Sequence, residues 1–254
     1  MTMTGPSPRA VIFAGPSLPP SLRISNLALH WHPPVKQGDV YQAALTGPAI
    51  IGITDGYFEV MPTVWHKEIL WAMAQGIHVY GSASIGALRA AELCHFGMIG
   101  VGHVFAAYRD GILADDDEVA VLHGPEELDY PAVTEAMVNI RATLDGAAAE
   151  GVIDSWLVAR VTEMAKALFY KERSWDAIFE LAAGRGLPPM PLARLAAWLR
   201  RGRVDQKRID ALEMTAAIRE HLAAGVAPLR VNYHFHNTGY HRAATSRFAE
   251  GWSP

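Results

Sequence analysis

The residues best suited to chemistry lie in a run of small side chains at positions 81–87 (GSASIGA). This run joins an apolar stretch typical of a strand to a helical pattern, and Ser84 stands at the junction. Small neighbours allow a tight turn that exposes the hydroxyl, as in a nucleophile elbow, although Ser82 replaces the first glycine of G-x-S-x-G. Two interpretations stay open: Ser84 is a nucleophile near helix N–H groups that stabilise an oxyanion, or it caps the helix.

A serine nucleophile needs a base, and the sequence offers two candidates. His66 follows the Asp55-Gly56 turn at the start of a predicted helix, and turns at the carboxyl ends of parallel strands converge. Lys36 lies in a loop at 33–39 (PPVKQGD) and would have to be desolvated to act as a base. The simpler alternatives are a surface or packing histidine and a solvated loop lysine.

Polar residues near these positions extend the candidate site. Asp55 and Glu59 follow a predicted strand and could orient a base or bind a cation, but an Asp-Gly turn closed by Asp55 itself is equally open. Arg89 precedes Glu92 by three positions, so it either forms a helix-surface pair or faces an acidic group of the substrate.

These observations give two predicted sets of site residues. The predicted catalytic set is Ser84, His66, Lys36 and Asp55. The predicted substrate-binding set is Ser82, Arg89 and Glu59.

Two further patterns raise the question of metal binding. The run 115–118 (DDDE) could ligate magnesium, but most charge runs are solvated loops and no phosphate-binding loop accompanies it. His234 and His236 have a spacing that suits zinc or nickel, with His241 nearby, yet no cysteine or carboxylate completes a set. We therefore predict neither a metal nor a cofactor.

Composition predicts an ordinary globular protein. Half of the 254 residues are hydrophobic and the formal net charge is −4, which gives no electrostatic reason to expect a nucleic acid partner. The single cysteine, Cys94, fits a reducing compartment. No apolar stretch approaches the length of a signal core or a membrane span. The expectation is a cytoplasmic protein without membrane association.

The hydrophobic pattern predicts an α/β fold followed by helices. Near-continuous apolar runs at 10–14, 49–53, 77–80 and 118–122 end in turn residues, as buried strands of a parallel sheet do. Helical patterns occupy 64–75, with Thr63 as its predicted cap, and then the segments 85–96, 152–172, 192–201 and 205–224, while Ser174 is expected to cap another helix. The predicted fold is a mainly parallel sheet flanked by helices, with a C-terminal helical region.

The same patterns divide the chain into three predicted parts. These are an α/β core at 10–145, a helical region at 150–227 and a tail at 228–254. The turns after the runs that end at 53, 80 and 122 are expected to share one edge of the sheet, since parallel strands place their carboxyl ends together.

Several ordered segments together resemble the core of the TfuA-like family. The resemblance covers roughly residues 10–144. The segments that carry it are 34–39 (PVKQGD), 53–58 (ITDGYF), 66–70 (HKEIL), 81–93 (GSASIGALRAAEL), 108–111 (YRDG) and 115–121 (DDDEVAV).

The resemblance implies work beside a YcaO enzyme in peptide backbone thioamidation, on ribosomally made peptides or on proteins. It also implies partners: the YcaO protein, a thiocarboxylated sulfur-carrier protein and a precursor peptide. Two functions remain open on this basis. One is an enzyme that hydrolyses the thiocarboxylate with Ser84 and releases sulfide, and the other is a non-catalytic module that docks YcaO and the sulfur donor. A metal-dependent hydrolase using Asp55 and residues 115–117 is a weaker third.

Overall fold

The computed structural model describes residues 10–26, 28–239 and 245–246. The described chain divides by packing into two units. One unit contains the residues up to Ala114 and those from Ile209 onward, and the other is Asp115–Arg208. The boundaries of the two units fall inside the predicted ranges 10–145 and 150–227. The division of the chain into those ranges stays a prediction.

Five parallel strands form the sheet of the first unit. They are β1 (Ala10–Phe13), β2 (Leu29–His32), β3 (Ile50–Ile53), β4 (His78–Ser82) and β5 (Ile99–Val101). Their order across the sheet is β2-β1-β3-β4-β5. The predicted parallel sheet with flanking helices is therefore confirmed.

Helices alternate with the strands in the first part of the chain, and after β5 the described residues form helices without further strands. They are α1 (Asp39–Leu45), α2 (His66–Ala74), α3 (Ile85–Leu93), α4 (His103–Arg109), α5 (Met137–Ala149), α6 (Ser155–Ala167), α7 (Trp175–Gly184), α8 (Pro189–Gly202) and α9 (Gln206–Ala224). The C-terminal helical region is thus confirmed as well. None of these helices, over the described residues, combines the length and apolar character that a bilayer crossing requires.

The sheet is covered on both faces, which explains why its strands are continuously apolar. One face packs against α9, where Ile12 and Tyr80 meet Met214 and Ile218. In the described part of the β1–β2 connection only a short 3₁₀ turn occurs, at Pro20–Leu22, so a helix from far along the chain covers this side. Side chains alternate along a strand, so those that do not face α9 lie on the opposite face of the sheet. There α3 packs against β3 and β4.

The strand order decides where a ligand site is expected. In a 2-1-3-4-5 sheet the connections leave β1 and β3 in opposite directions, and a crevice forms at the carboxyl ends of these two strands. The segments that follow β1, β3 and β4 meet at this edge. They contain Ser17, Asp55 and Ser84.

Helices α5 to α8 of the second unit share a core of their own. It includes the fully buried Ile140, Val161 and Leu195. Ser174 caps α7 as predicted, since its hydroxyl accepts a hydrogen bond from the Ala177 N–H at 3.2 Å. Asp154 caps α6 through the Leu157 N–H at 2.9 Å, so this helix is shorter than the predicted 152–172.

The predicted strand at 118–122 is wrong. Asp116–Glu118 forms a 3₁₀ turn and the following residues join no sheet. Glu118 is buried because its carboxylate receives two hydrogen bonds from Arg141, at 2.9 and 3.0 Å. The turn after Leu122 therefore does not follow a strand of the sheet.

Two strands and one helix start also differ from the sequence prediction. The pattern missed β2, which contains two histidines, and β5, which has three residues around a glycine. Helix α2 begins after Trp65 rather than Thr63, because the Glu68 carboxylate accepts a hydrogen bond from the Trp65 N–H at 2.8 Å and so replaces a side-chain cap.

Candidate active site

A strained turn holds Ser84 at the end of β4. Ala83 has a φ of 65°, and the Ser84 N–H donates to Ser82 O at 2.7 Å, which closes a three-residue γ-turn. Such turns with positive φ are rare, and backbone strain of this kind clusters at active sites. Ser84 stands at the cap position of α3, but its side chain forms no cap hydrogen bond. The helix-cap interpretation of Ser84 does not hold.

Two glycines let α3 start in direct contact with the sheet. A Cβ on Gly86 would lie 1.9 Å from Ile53 O, and a Cβ on Gly81 would lie 2.1 Å from Gly86 O. The Gly86 N–H donates to Thr54 O at 3.2 Å, which ties the first turn of α3 to the end of β3. The small residues at 81–87 therefore serve close packing as well as the turn.

Asp55 joins the segments that follow β1 and β3. Its buried carboxylate accepts hydrogen bonds from the N–H groups of Gly15 (2.9 Å) and Ser17 (3.0 Å), from the Ser17 hydroxyl (2.6 Å) and from the Thr54 hydroxyl (3.3 Å). Asp55 thus binds a segment 38 to 40 residues away rather than closing its own turn. Sequence reasoning missed Ser17, because its role depends on the adjacency of β1 and β3.

The segment that carries Lys36 crosses the same edge. The Val35 N–H donates to Asp55 O at 2.8 Å, and a Cβ on Gly56 would lie 2.8 Å from both Val35 O and Ile85 Cγ2. The segments of Lys36, Asp55 and Ser84 therefore touch one another. Lys36 itself is exposed, and its backbone N–H donates to the Asp39 carboxylate at 2.9 Å.

His66 belongs to a separate cluster between α2 and α3. Its Nε2 lies 2.8 Å from the Glu92 carboxylate, which also accepts a hydrogen bond from Arg89 at 2.7 Å. Burial works to raise the pKa of Glu92, but the bonds from His66 and Arg89 outweigh it and the pKa is lowered. Glu92 lies eight residues after Ser84, roughly 12 Å along a helix axis. The structure therefore pairs His66 with Glu92 and holds it away from the Ser84 turn.

The three predicted substrate-binding residues have three different settings. Ser82 is fully buried, and within the described residues its hydroxyl oxygen has no hydrogen-bond partner. Arg89 is 8% exposed, and its Nε donates to Val64 O at 3.1 Å in addition to the Glu92 pair. Glu59 is exposed in the loop between β3 and α2 with a φ of 59°.

Glu68 is a further buried acid that sequence reasoning did not select. Its carboxylate accepts hydrogen bonds from the N–H groups of Gly38, Tyr41 and Trp65, and so joins the starts of α1 and α2. Burial raises the pKa of Glu68 to about 7, against the opposing effect of these three backbone donors. The sequence lacks the usual signature of a helix start, a Ser, Thr, Asp or Asn at the cap position, because Trp65 occupies the cap position of α2.

Comparison with known families gives one result. Residues 55–174 match the family model for TfuA-like protein. This match supports the resemblance to the TfuA-like family that the sequence motifs indicated. The matched range begins and ends later in the chain than the stretch 10–144 that carries the resemblance. No curated protein matches the chain significantly.

The TfuA-like match covers most of the candidate site. Ser84, His66 and Asp55 lie inside it, whereas Lys36 and Ser17 precede it. The matched range contains the Ser84 turn and the His66–Glu92 cluster, and it continues into the second unit.

The acidic run at 115–118, inside the matched range, is paired with a lysine side chain. Carboxylate oxygens of Asp115, Asp117 and Glu118 lie within 4.8 Å of one another. The Lys166 ammonium lies 3.1 Å from Asp115 and from Glu118 and also bonds Asp117, which receives a further bond from the buried Arg173 at 2.8 Å. Burial works to raise the pKa of Asp117, but these cationic partners lower it overall. Lysine and arginine thus pair with three of the four acids of the run.

The histidines near the C-terminus lie outside the TfuA-like match. The rings of His234 and His236 are exposed and pack edge to face with centroids 5.0 Å apart. His241 is outside the described residues. The described pair therefore lies on the protein surface, and its two rings contact each other.

Proposed function

We propose that this chain is an accessory protein of a YcaO enzyme in peptide backbone thioamidation, and that it releases sulfide by hydrolysing a thiocarboxylated sulfur-carrier protein. The observation that carries the enzymatic part is the strained γ-turn at Ala83. It holds Ser84, which is 8% exposed, at the start of a helix without using the hydroxyl as a cap. The TfuA-like match supports the biological setting.

The first step transfers the carrier to Ser84. Its oxygen forms a bond to the thiocarboxylate carbon, the carbon–sulfur bond breaks, and the hydroxyl proton leaves with sulfur as HS⁻. As the first residue of α3, Ile85 has an N–H without a partner inside the helix, and this group is placed to stabilise the oxyanion. The products are an ester on Ser84 and free hydrosulfide, so atoms and charge balance.

Lys36 is the better placed of the two proposed bases. Its segment contacts those of Asp55 and Ser84, whereas His66 is paired with Glu92 farther along α3. Lys36 is exposed in the unbound chain, so the bound carrier has to cover it and keep its amine neutral. The neutral amine then takes the proton from Ser84 and, as the ammonium, donates it to the departing sulfur. In the second step water hydrolyses the ester, and the carrier leaves with an ordinary carboxylate.

Asp55 has a positioning role in this scheme. Its carboxylate is buried among donors from the segment after β1, so it fixes the shape of the edge rather than touching substrate. Sulfide release is therefore assigned to Ser84 with Lys36.

The decisive experiment incubates the purified chain with a thiocarboxylated carrier protein and measures sulfide. We expect the wild type to release sulfide, Ser84→Ala to lower turnover by several orders of magnitude, and Lys36→Gln to lower it by about 100-fold. Lys171→Gln, at an exposed lysine of the second unit, is the matched control and should keep full activity. Near wild-type release by Ser84→Ala would rule out the proposed nucleophile.

A docking module is the second candidate, and one observation favours it. In the loop between β3 and α2, Val60 is 72% exposed and Met61 is 41% exposed, and apolar side chains of this kind often anchor partners. If the wild type releases no sulfide, the enzymatic proposal fails. Binding of the YcaO protein that is weakened by Val60→Ser and Met61→Ser would then support the module.

A further inference from the structure

The segment that follows α9 lies on α2 with alternating burial. This segment, residues 226–239, is here called the strap, and over 229–235 its side chains alternate between half-buried and exposed. The half-buried ones include Leu229, Val231, Tyr233 and Phe235. Alternation of this kind is typical of a peptide that lies along a surface with one side facing it.

A small number of contacts holds the strap in place. The Leu229 N–H donates to Gly76 O at 2.8 Å, and the Tyr233 hydroxyl donates to Leu70 O at 2.7 Å. The Tyr233 ring also packs edge to face on Phe96, with ring centroids 5.8 Å apart. Segments held by few, partly exposed contacts open at a lower free energy than a core does.

Lys67 contacts the C-terminal part of the strap. Its ammonium lies over the Phe235 ring, 5.6 Å from the centroid, and bonds the Thr238 hydroxyl at 3.4 Å. At the opposite end a cavity of about 460 Å³ opens beside Trp71, and Val226 and Pro228 form part of its wall. The surface under the strap, here called the track, thus runs along α2 from Gly76 through Leu70 to Lys67.

The direction of the strap is informative. Its residue numbers rise from the C-terminal end of α2 toward the N-terminal end. Helix α2 connects parallel strands β3 and β4, so its N-terminal end lies at the carboxyl edge of the sheet. The strap therefore runs toward the carboxyl edge of the sheet. Its end at Lys67 lies beside His66 and Glu92, roughly 12 Å from Ser84 along α3, so a tail that continued about four extended residues past Lys67 would reach the Ser84 turn.

We propose that the track is a docking site for the C-terminal tail of the carrier, and that the strap occupies it until the carrier arrives. This inference rests on the proposed function. The thiocarboxylate is the modified C-terminus of the carrier, so a tail bound in the direction of the strap brings it toward Ser84. The strap supports this occupant because it shows that the track accepts a peptide with apolar residues at alternate positions.

Two variants are expected to change carrier binding in opposite directions. Tyr233→Ala loosens the strap and leaves the track intact, so KM for the thiocarboxylated carrier should fall about fivefold with kcat unchanged. Phe96→Ala, made in the Tyr233→Ala background where the Phe96–Tyr233 contact is already lost, removes part of the surface that the tail would meet and should raise KM again by a similar factor. Neither change should affect hydrolysis of thioacetate, which is too small to need the track. Asn232→Ala, at an exposed strap position, is the matched control.

A binding measurement separates this inference from the proposed function. If the wild type hydrolyses neither thioacetate nor the carrier, the proposed function has failed, and fluorescence anisotropy with the unmodified carrier still tests the track. Tighter binding to Tyr233→Ala, and weaker binding when Phe96→Ala is added to it, would support the inference. Melting temperatures confirm that both variants are folded. Equal KM and equal binding for wild type and both variants, or shifts of both in the same direction, would overturn the inference.

Discussion

At the scale of single residues, the two serines that begin helices behave differently. Ser174 accepts a hydrogen bond from the Ala177 N–H, whereas Ser84 makes no equivalent bond in α3. The backbone at Ser84 has φ −121° and ψ −127°, and it follows a residue with positive φ. This geometry gives no stability through capping, and it leaves Ser84 only 8% exposed.

A pair of alanine substitutions tests this difference. Ser174→Ala should lower the free energy of unfolding by about 1 kcal/mol, the usual value of a lost cap, and leave sulfide release unchanged. Ser84→Ala should lose little stability, because it has no cap bond to lose, and should lose activity. Thermal melting and sulfide release measured on the same preparations compare the two. A large melting shift for Ser84→Ala would contradict the geometry described for its side chain.

At the scale of elements, the position of α3 depends on one glycine. Gly86 lies against the backbone of β3, where a Cβ would meet Ile53 O at 1.9 Å. A backbone oxygen inside a sheet cannot move aside without breaking strand hydrogen bonds. The contact therefore fixes the start of α3 and, with it, the Ser84 turn.

We expect Gly86→Ala to destabilise the protein by about 3 kcal/mol, at the upper end of the usual cost of overpacking. Gly184→Ala is the matched control, because Gly184 is also helical and a Cβ there meets no atom within 4 Å. It should be neutral or stabilising by up to about 1 kcal/mol. Urea unfolding followed by circular dichroism measures both. Equal stability of the two variants would show that α3 can shift freely on the sheet.

At the scale of the whole molecule, acids whose pKa values shift in opposite directions occur in both units. Burial raises the pKa of Glu68 to about 7, and it also raises the pKa of Asp39 and Glu135. In Glu92 and Asp117 burial has the same tendency, but cationic partners prevail and lower the pKa. These two groups of carboxyls make stability depend on pH in opposite directions.

The signs predict where stability is greatest. A raised folded-state pKa means that the folded protein binds the proton more tightly, so stability falls as pH rises from 4.5 to about 7, by about 3 kcal/mol for Glu68. A lowered pKa stabilises at higher pH, and this contribution is lost as pH falls below about 4. Urea unfolding at pH 3 to 8 should show maximal stability near pH 5.

Two glutamine variants test the origin of this profile. Glu68→Gln resembles the protonated acid and should flatten the fall in stability above pH 5. Glu172→Gln, at an exposed position, should leave the profile unchanged. A profile that rises steadily from pH 5 to pH 8 in the wild type would contradict the assignment.

The sequence alone determined those elements whose pattern is local. Strands β1, β3 and β4 are continuous apolar runs with turn residues after them, and a strand buried on both faces requires that composition. Ser174 and the helix that it caps follow from residues a few positions apart. The Ser84 turn was predictable for the same reason, since its small residues are neighbours in the chain.

Only the tertiary structure decided which distant residues meet. Asp55 binds Ser17 because β1 and β3 are adjacent in the sheet, and His66 pairs with Glu92 because α2 packs beside α3. The strand prediction at 118–122 was wrong because Glu118 is buried by pairing with the half-exposed Arg141 rather than by neighbouring strands, and no local pattern encodes that pairing. Local sequence patterns indicate how deeply each segment is buried, but the partners of its side chains depend on which other segments lie beside it. The sequence could therefore locate the Ser84 turn, whereas the neighbours of that turn required the fold.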